Sequence, residues 1–342
     1  MSKKFFRAHK NLKLELGGIL PDVEITYHTY GTINKEKNNV IWVCHALTAN
    51  SDVLEWWPTL FGEGKTYDPA NYFIVCANIL GSCYGSSGPL TINDENNKPY
   101  YSTFPPVTIR DMVHAHLLLK EHLKIATIHT LIGGSMGGYQ AIEWAFIEPE
   151  PISRLILIAT GAKESAWGIA IHTAQRMAIE TDTTWDHLQS GAGARGLKTA
   201  RAIGMLTYRN YLAFVSSQTD EIDKIDEFKA SSYIHYQGEK LVSRFNAYSY
   251  WLLTKAMDSH NIARGRGILK DVLKKIQLPT LVIGINSDML CPVTEQQYLA
   301  NHLANASYYE IDSLYGHDGF LIEGEKIGKI IQDVFSNDKE KI

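Results

Sequence analysis

The sequence is poor in cysteine, long apolar runs and excess positive charge, and each shortage closes off a class of protein. Only four cysteines occur in 342 residues, Cys44, Cys76, Cys83 and Cys291, scattered and without a CxxC pair. Such spacing reads as free thiols in a reducing cytoplasm, not as a disulfide framework. No apolar stretch approaches the roughly 20 residues that a membrane-spanning helix needs; the longest, such as residues 155–160, are strand-sized. Residues 1–18 contain Lys and Arg but no continuous apolar segment, so they do not read as a secretory signal. Lys and Arg total 33 against 37 Asp and Glu, a net charge of −4 with no basic run. That balance argues against a nucleic-acid or membrane-surface partner. No His/Cys/carboxylate cluster has zinc spacing. His114 and His116 stand two apart on a predicted helix and do not face each other, so no metal is expected.

What is present is a soluble globular composition, 45% hydrophobic and 20% charged, in a chain long enough for a large core. Short apolar runs at residues 40–45 (VIWVCH), 72–78, 128–133, 154–160 and 280–286 read as buried strands of a mostly parallel sheet. Helical patterns lie between them, at 109–123 and 137–146, which argues for an α/β fold. Residues 12–30 suggest antiparallel strands at one edge. From 163 to 266 the pattern is helical throughout, including 169–180, 196–211 and 243–258, with no convincing strand. That is too long for an ordinary crossover. It divides the chain into a core of residues 1–162 and 267–342 and a helical lid, 163–266.

Residues 131–138 read LIGGSMGG. Gly133-x-Ser135-x-Gly137 follows a predicted strand and opens a predicted helix, the context of a nucleophile elbow. Glycines flanking the serine let strand and helix approach without a Cβ clash. The helix N-terminus then aims free N–H groups at developing negative charge. A serine needs a base to take its proton, and in this arrangement the order is serine, acid, histidine. Asp288 follows the strand at 280–286 directly. His317 lies in the late loop SLYGHDGFL, after a short predicted strand at 308–311. The backbone N–H of Met136, next to the serine, and that of Leu47, in the loop HALTAN at 45–50, are the candidate oxyanion donors. The His45 side chain is expected to support that loop without entering the chemistry.

Five segments together carry a family resemblance: HALTAN at 45–50, NILGSCYGSSGP at 78–89, GGSMGGYQAIEWA at 133–145, RFNAYSYWLLTKAMD at 244–258 and YGHDGFLIE at 315–323. In this order they resemble the homoserine O-acetyltransferase family, over residues 10–330. The resemblance implies an α/β-hydrolase fold and a Ser135–His317–Asp288 triad. It also implies ping-pong transfer of an acetyl group from acetyl-CoA to the hydroxyl of L-homoserine, in methionine biosynthesis and without a bound cofactor. By the same resemblance Asp318 binds the homoserine ammonium and Arg201 its carboxylate. Arg209 is a rival for the carboxylate and Tyr208 a helper. The lid is expected to cover the active-site tunnel and form a homodimer contact. Tyr139 stands where the family often has Met, and Ala49-Asn50 replaces its usual glycine after HALT. A succinyl donor, a serine acceptor and simple ester hydrolysis are the competing expectations.

Overall fold

The computed structural model describes residues 2–336. Its main sheet has eight strands: β1 (Ser2–Ala8), β2 (Val23–Tyr30), β3 (Val40–Cys44), β4 (Phe73–Ala77), β5 (Thr130–Gly134), β6 (Leu155–Ile158), β7 (Thr280–Ile285) and β8 (Ala306–Ile311). They lie in the order β1-β2-β4-β3-β5-β6-β7-β8. Strands β1 and β2 pair antiparallel, as do β2 and β4; the other neighbours are parallel. Every residue of β3 to β7 is buried, which is why these strands read as continuous apolar runs. Strand β1 escaped the sequence reading. Its KKFFR pattern puts cations and aromatics on an exposed edge, where Lys and Arg discourage further strand pairing.

Side chains alternate across the pleat and split the core in two. Trp42, Leu131, Leu155 and Leu157 face the layer that contains Met112, Val113, Ile142 and Trp144. The last four belong to α1 (Ile109–His122) and α2 (Met136–Ile147). Ile41, Val43, Ile132, Ile156 and Ile158 face Val53, Trp57, Leu60, Ile327 and Ile331 on the other side. Helix α1 starts where it does because Thr108 and Asp111 form a reciprocal capping box.

Within residues 163–266 the chain forms five helices: α3 (Ala166–Glu180), α4 (Ala194–Tyr208), α5 (Tyr211–Gln218), α6 (Lys229–Val242) and α7 (Ala247–Asp258). One helix expected at 196–211 is in fact broken. Arg209 is extended, and the Asn210 side chain accepts from Leu212 N–H and starts α5. The helix expected from 243 begins at Ala247, because the Asn246 side chain caps it through Ser249 N–H. Helix α6 lies within the stretch expected to be helical, though its own bounds are not among those expected. After β7 come α8 (Val293–His302), strand β8 and α9 (Gly324–Ser336).

Candidate active site

Ser135 sits at the joint between β5 and α2 with φ 54° and ψ −130°. A non-glycine residue there is strained, of order 1–3 kcal/mol, and is held only because its surroundings over-determine it. A Cβ on Gly133 would fall 2.1 Å from the Gly137 carbonyl oxygen, and one on Gly137 would fall 2.1 Å from that of Cys44. The glycines therefore let helix, strand and the neighbouring β3 meet at van der Waals distance. Thr160 Oγ1 donates to the Ser135 carbonyl at 2.9 Å, and Ser135 N–H donates to Ile158 O at 3.0 Å. These bonds tie the turn to the end of β6.

The three residues of the expected triad, far apart in sequence, come together. Ser135 Oγ is 2.8 Å from His317 Nε2, and His317 Nδ1 is 2.6 Å from Asp288 Oδ2. Asp288 Oδ1 accepts from the N–H groups of Leu290 and Cys291 at 2.8 and 2.9 Å. With both oxygens engaged, the carboxylate fixes the ring and its tautomer, Nδ1–H toward Asp288 and Nε2 free to accept. All three residues are buried. Burial pulls the imidazole pKa down, but the charge and hydrogen bond of Asp288, with Asp318 and Glu164 behind, outweigh it and raise it above 6.5. Cys291 stands close enough that its sulfur and the Asp288 and His317 ligand atoms lie within 4.8 Å of one another. Burial, with Asp288 nearby, pushes its thiol pKa well up, so it stays protonated, a poor metal ligand beside an acid–base pair already joined to each other.

Met136 is the first residue of α2, where N–H groups lack intrahelical acceptors. Leu47 lies in the loop after β3 and lines the same cavity as Ser135 and His317. This loop is pinned from below. His45 Nδ1–H donates to Ala46 O at 2.8 Å and its Nε2 accepts from Ile79 N–H at 3.2 Å. Burial lowers the His45 pKa to about 4, so the ring is neutral, as a supporting group should be. Gln140 of α2, which the sequence reading passed over, donates to the His45 carbonyl at 3.0 Å and locks loop to helix.

The cavity above Ser135 has a volume of about 340 Å³. Arg201, Tyr208 and Asp318 line it, as do His172 and Gln175 of α3, which carried no signal in the sequence. Arg201 places its guanidinium over the Tyr208 ring, 5.3 Å from the centroid, and its Nε is buried without a partner among the described residues. Arg209 does not line the cavity; its Nε forms an ion pair with Asp318 Oδ2 at 3.3 Å. Burial raises the Asp318 pKa, against the pull of Arg209, His317 and Arg201. His172 Nδ1 is held by Asp258 Oδ1 at 2.9 Å, which couples α3 to α7 at the cavity wall.

The sheet order and the strained serine turn define the class, and a family model described as alpha/beta hydrolase fold matches residues 39–323. The homoserine O-acetyltransferase of Cyclobacterium marinum is 48% identical over 335 residues, covering 98% of this chain and 95% of that protein. A crystal structure of homoserine O-acetyltransferase from Bacillus anthracis superposes with a TM-score of 0.90 at 25% identity, over 97% of each chain. The crystal structure of esterase E22 superposes almost as well, with a TM-score of 0.88 at 22% identity over 97% and 99% of the two chains, and shows the shared fold alone. The chain belongs to the homoserine O-acetyltransferase family of α/β-hydrolase-fold enzymes.

Proposed function

We propose that this enzyme transfers an acetyl group from acetyl-CoA to the γ-hydroxyl of L-homoserine through an acetyl-Ser135 intermediate, supplying methionine synthesis. The observation that carries this reading is the hydrogen-bonded line Ser135–His317–Asp288 opening into a cavity that also holds Arg201 and Asp318. A carboxylate and a guanidinium suit the two charges of an amino acid.

In the first half-reaction Ser135 Oγ attacks the thioester carbonyl while His317 Nε2 takes its proton. The oxyanion falls to the N–H groups of Leu47 and Met136, each worth roughly 10²–10³ in rate by analogy with such donors elsewhere. CoA leaves as the thiol, protonated by His317. In the second, the homoserine hydroxyl gives its proton to His317 and attacks the acetyl carbon, and Ser135 recovers a proton as O-acetylhomoserine departs. Asp288 stabilises the imidazolium in each step. Arg201 is the better candidate for the substrate carboxylate, since it lines the cavity, while Arg209 does not and is ion-paired with Asp318.

Residues 163–266 act as a lid that keeps water from the acyl-serine. A homodimer contact through the lid is supported by exposed apolar side chains on and beside α5: Leu206, Tyr211, Leu212, Val215 and Ile222. No helix among the described residues is long and apolar enough to cross a membrane; a cytoplasmic site suits an acyl-CoA substrate and four unpaired cysteines.

Brief exposure to acetyl-CoA alone, followed by peptide mass spectrometry, tests the reading. Acetyl on Ser135 that is discharged by homoserine is the expected result. Steady CoA release without homoserine would make the protein a hydrolase. Succinyl on Ser135 after a parallel run with succinyl-CoA, or discharge by serine as fast as by homoserine, would revise donor or acceptor.

A further inference from the structure

Gln175 is 1% exposed, yet its Oε1 has no hydrogen-bond partner among the described residues. A buried amide oxygen left unpaired costs on the order of 1–3 kcal/mol, so native folds rarely keep one without a use for it. Its position suggests the use. Gln175 and His172, three residues apart on one face of α3, both line the active-site cavity. A Cβ on Gly204 of α4 would come 3.1 Å from Gln175 Nε2 and 3.4 Å from the Tyr208 hydroxyl, so the missing side chain leaves room for both polar groups. Tyr208 in turn lies under the Arg201 guanidinium, and its ring centroid is 5.9 Å from that of His317. Two residues that line the cavity, Arg201 and Gln175, thus each carry a buried polar atom without a partner among the described residues, the donor Nε and the acceptor Oε1.

Resting on the functional reading above, we propose that Gln175 is a further specificity residue, accepting a hydrogen bond from the ammonium group of the amino-acid acceptor. An ammonium brings three N–H donors into a site from which water is excluded. Asp318 supplies acceptors, but its Oδ2 already faces Arg209. Gln175 supplies another without adding a further negative charge near His317, whose basicity Asp288 and Asp318 already influence. An acceptor that lacks the ammonium gains nothing from Oε1, so the side chain favours the amino acid over simple hydroxy acids.

The test compares wild type with Gln175→Met, which keeps the length and removes the acceptor, and Gln175→Glu, which keeps an acceptor. Each is assayed with L-homoserine and with 4-hydroxybutyrate, which has the same hydroxyl and carboxylate but no ammonium. Acetylation of Ser135 by acetyl-CoA alone is followed in parallel. In Gln175→Met the kcat/KM for homoserine falls about ten- to a hundredfold, through KM. That for 4-hydroxybutyrate and the acetylation rate stay within about twofold, and Gln175→Glu restores homoserine KM. Equal losses on both acceptors, an unchanged homoserine KM, or a matching loss of Ser135 acetylation overturns the proposal. A wild-type chain that never passes acetyl to homoserine overturns the functional reading first, before any variant is compared.

Discussion

Helices α2 and α5 are both rich in apolar residues, but they meet opposite surroundings. Ten of the twelve residues of α2 are buried, wedged between the sheet and α1. None of the eight residues of α5 is buried, and Tyr211 and Leu212 are 75% and 62% exposed. The first helix holds Ser135 in a geometry that nothing loose could maintain. The second lays its apolar side chains on the surface, away from that turn. Precision and adaptability are thus assigned to different stretches of one chain, and the comparison can be pressed by mutation.

The largest effect is expected at the elbow. Ser135→Ala should lower acetyl transfer by at least about 10⁴-fold and abolish the acyl-enzyme, while the melting transition remains cooperative; burst kinetics and calorimetry measure both. Next, Asp288→Asn should cost about 10³–10⁴ in kcat, by analogy with the best-studied serine triad. It should also move the pH profile. Only neutral His317 can take the serine proton, and its pKa is raised above 6.5, so wild-type acylation should fall as pH drops through a midpoint above that value. Removing the Asp288 charge should shift this midpoint to lower pH.

Two glycines make the contrast between core and excursion direct. Gly137→Ala drives a Cβ against the Cys44 carbonyl and should cost about 3 kcal/mol or more, or leave the protein insoluble. Gly191→Ala, in the helical excursion, meets nothing within 4 Å and should leave denaturant midpoints nearly unchanged. The smallest stability effect is expected on α5. Leu212→Lys should alter monomer stability by no more than about 0.5 kcal/mol, yet shift a dimer toward monomer in sedimentation velocity. A mass unchanged by that substitution would remove α5 from the subunit contact.

Where the sequence was legible, burial was the reason. Strands β3 to β7 announced themselves because both of their faces are covered, and the elbow because two glycines have no steric alternative. Asp288 and His317 were legible by their order and by their place just beyond strand ends. Strand β1 was not, since an edge strand mixes charge with aromatics. The break at Arg209-Asn210 was missed because a side-chain cap competes with a continuing helix on nearly equal terms. His172 and Gln175 escaped for a different reason. A polar residue at helical spacing looks like any solvated face until tertiary packing turns that face inward against α4 and the cavity.

The hydrogen bond between Ser135 and His317 spans 182 residues. During synthesis the strained serine leaves the ribosome long before its base does, and β7 with Asp288 follows only after the five-helix excursion. A chain made only as far as β7 would therefore carry Ser135 without His317, the base proposed for it. On the proposed mechanism Ser135 gains its base only when the segments that carry Asp288 and His317 have docked beside β6.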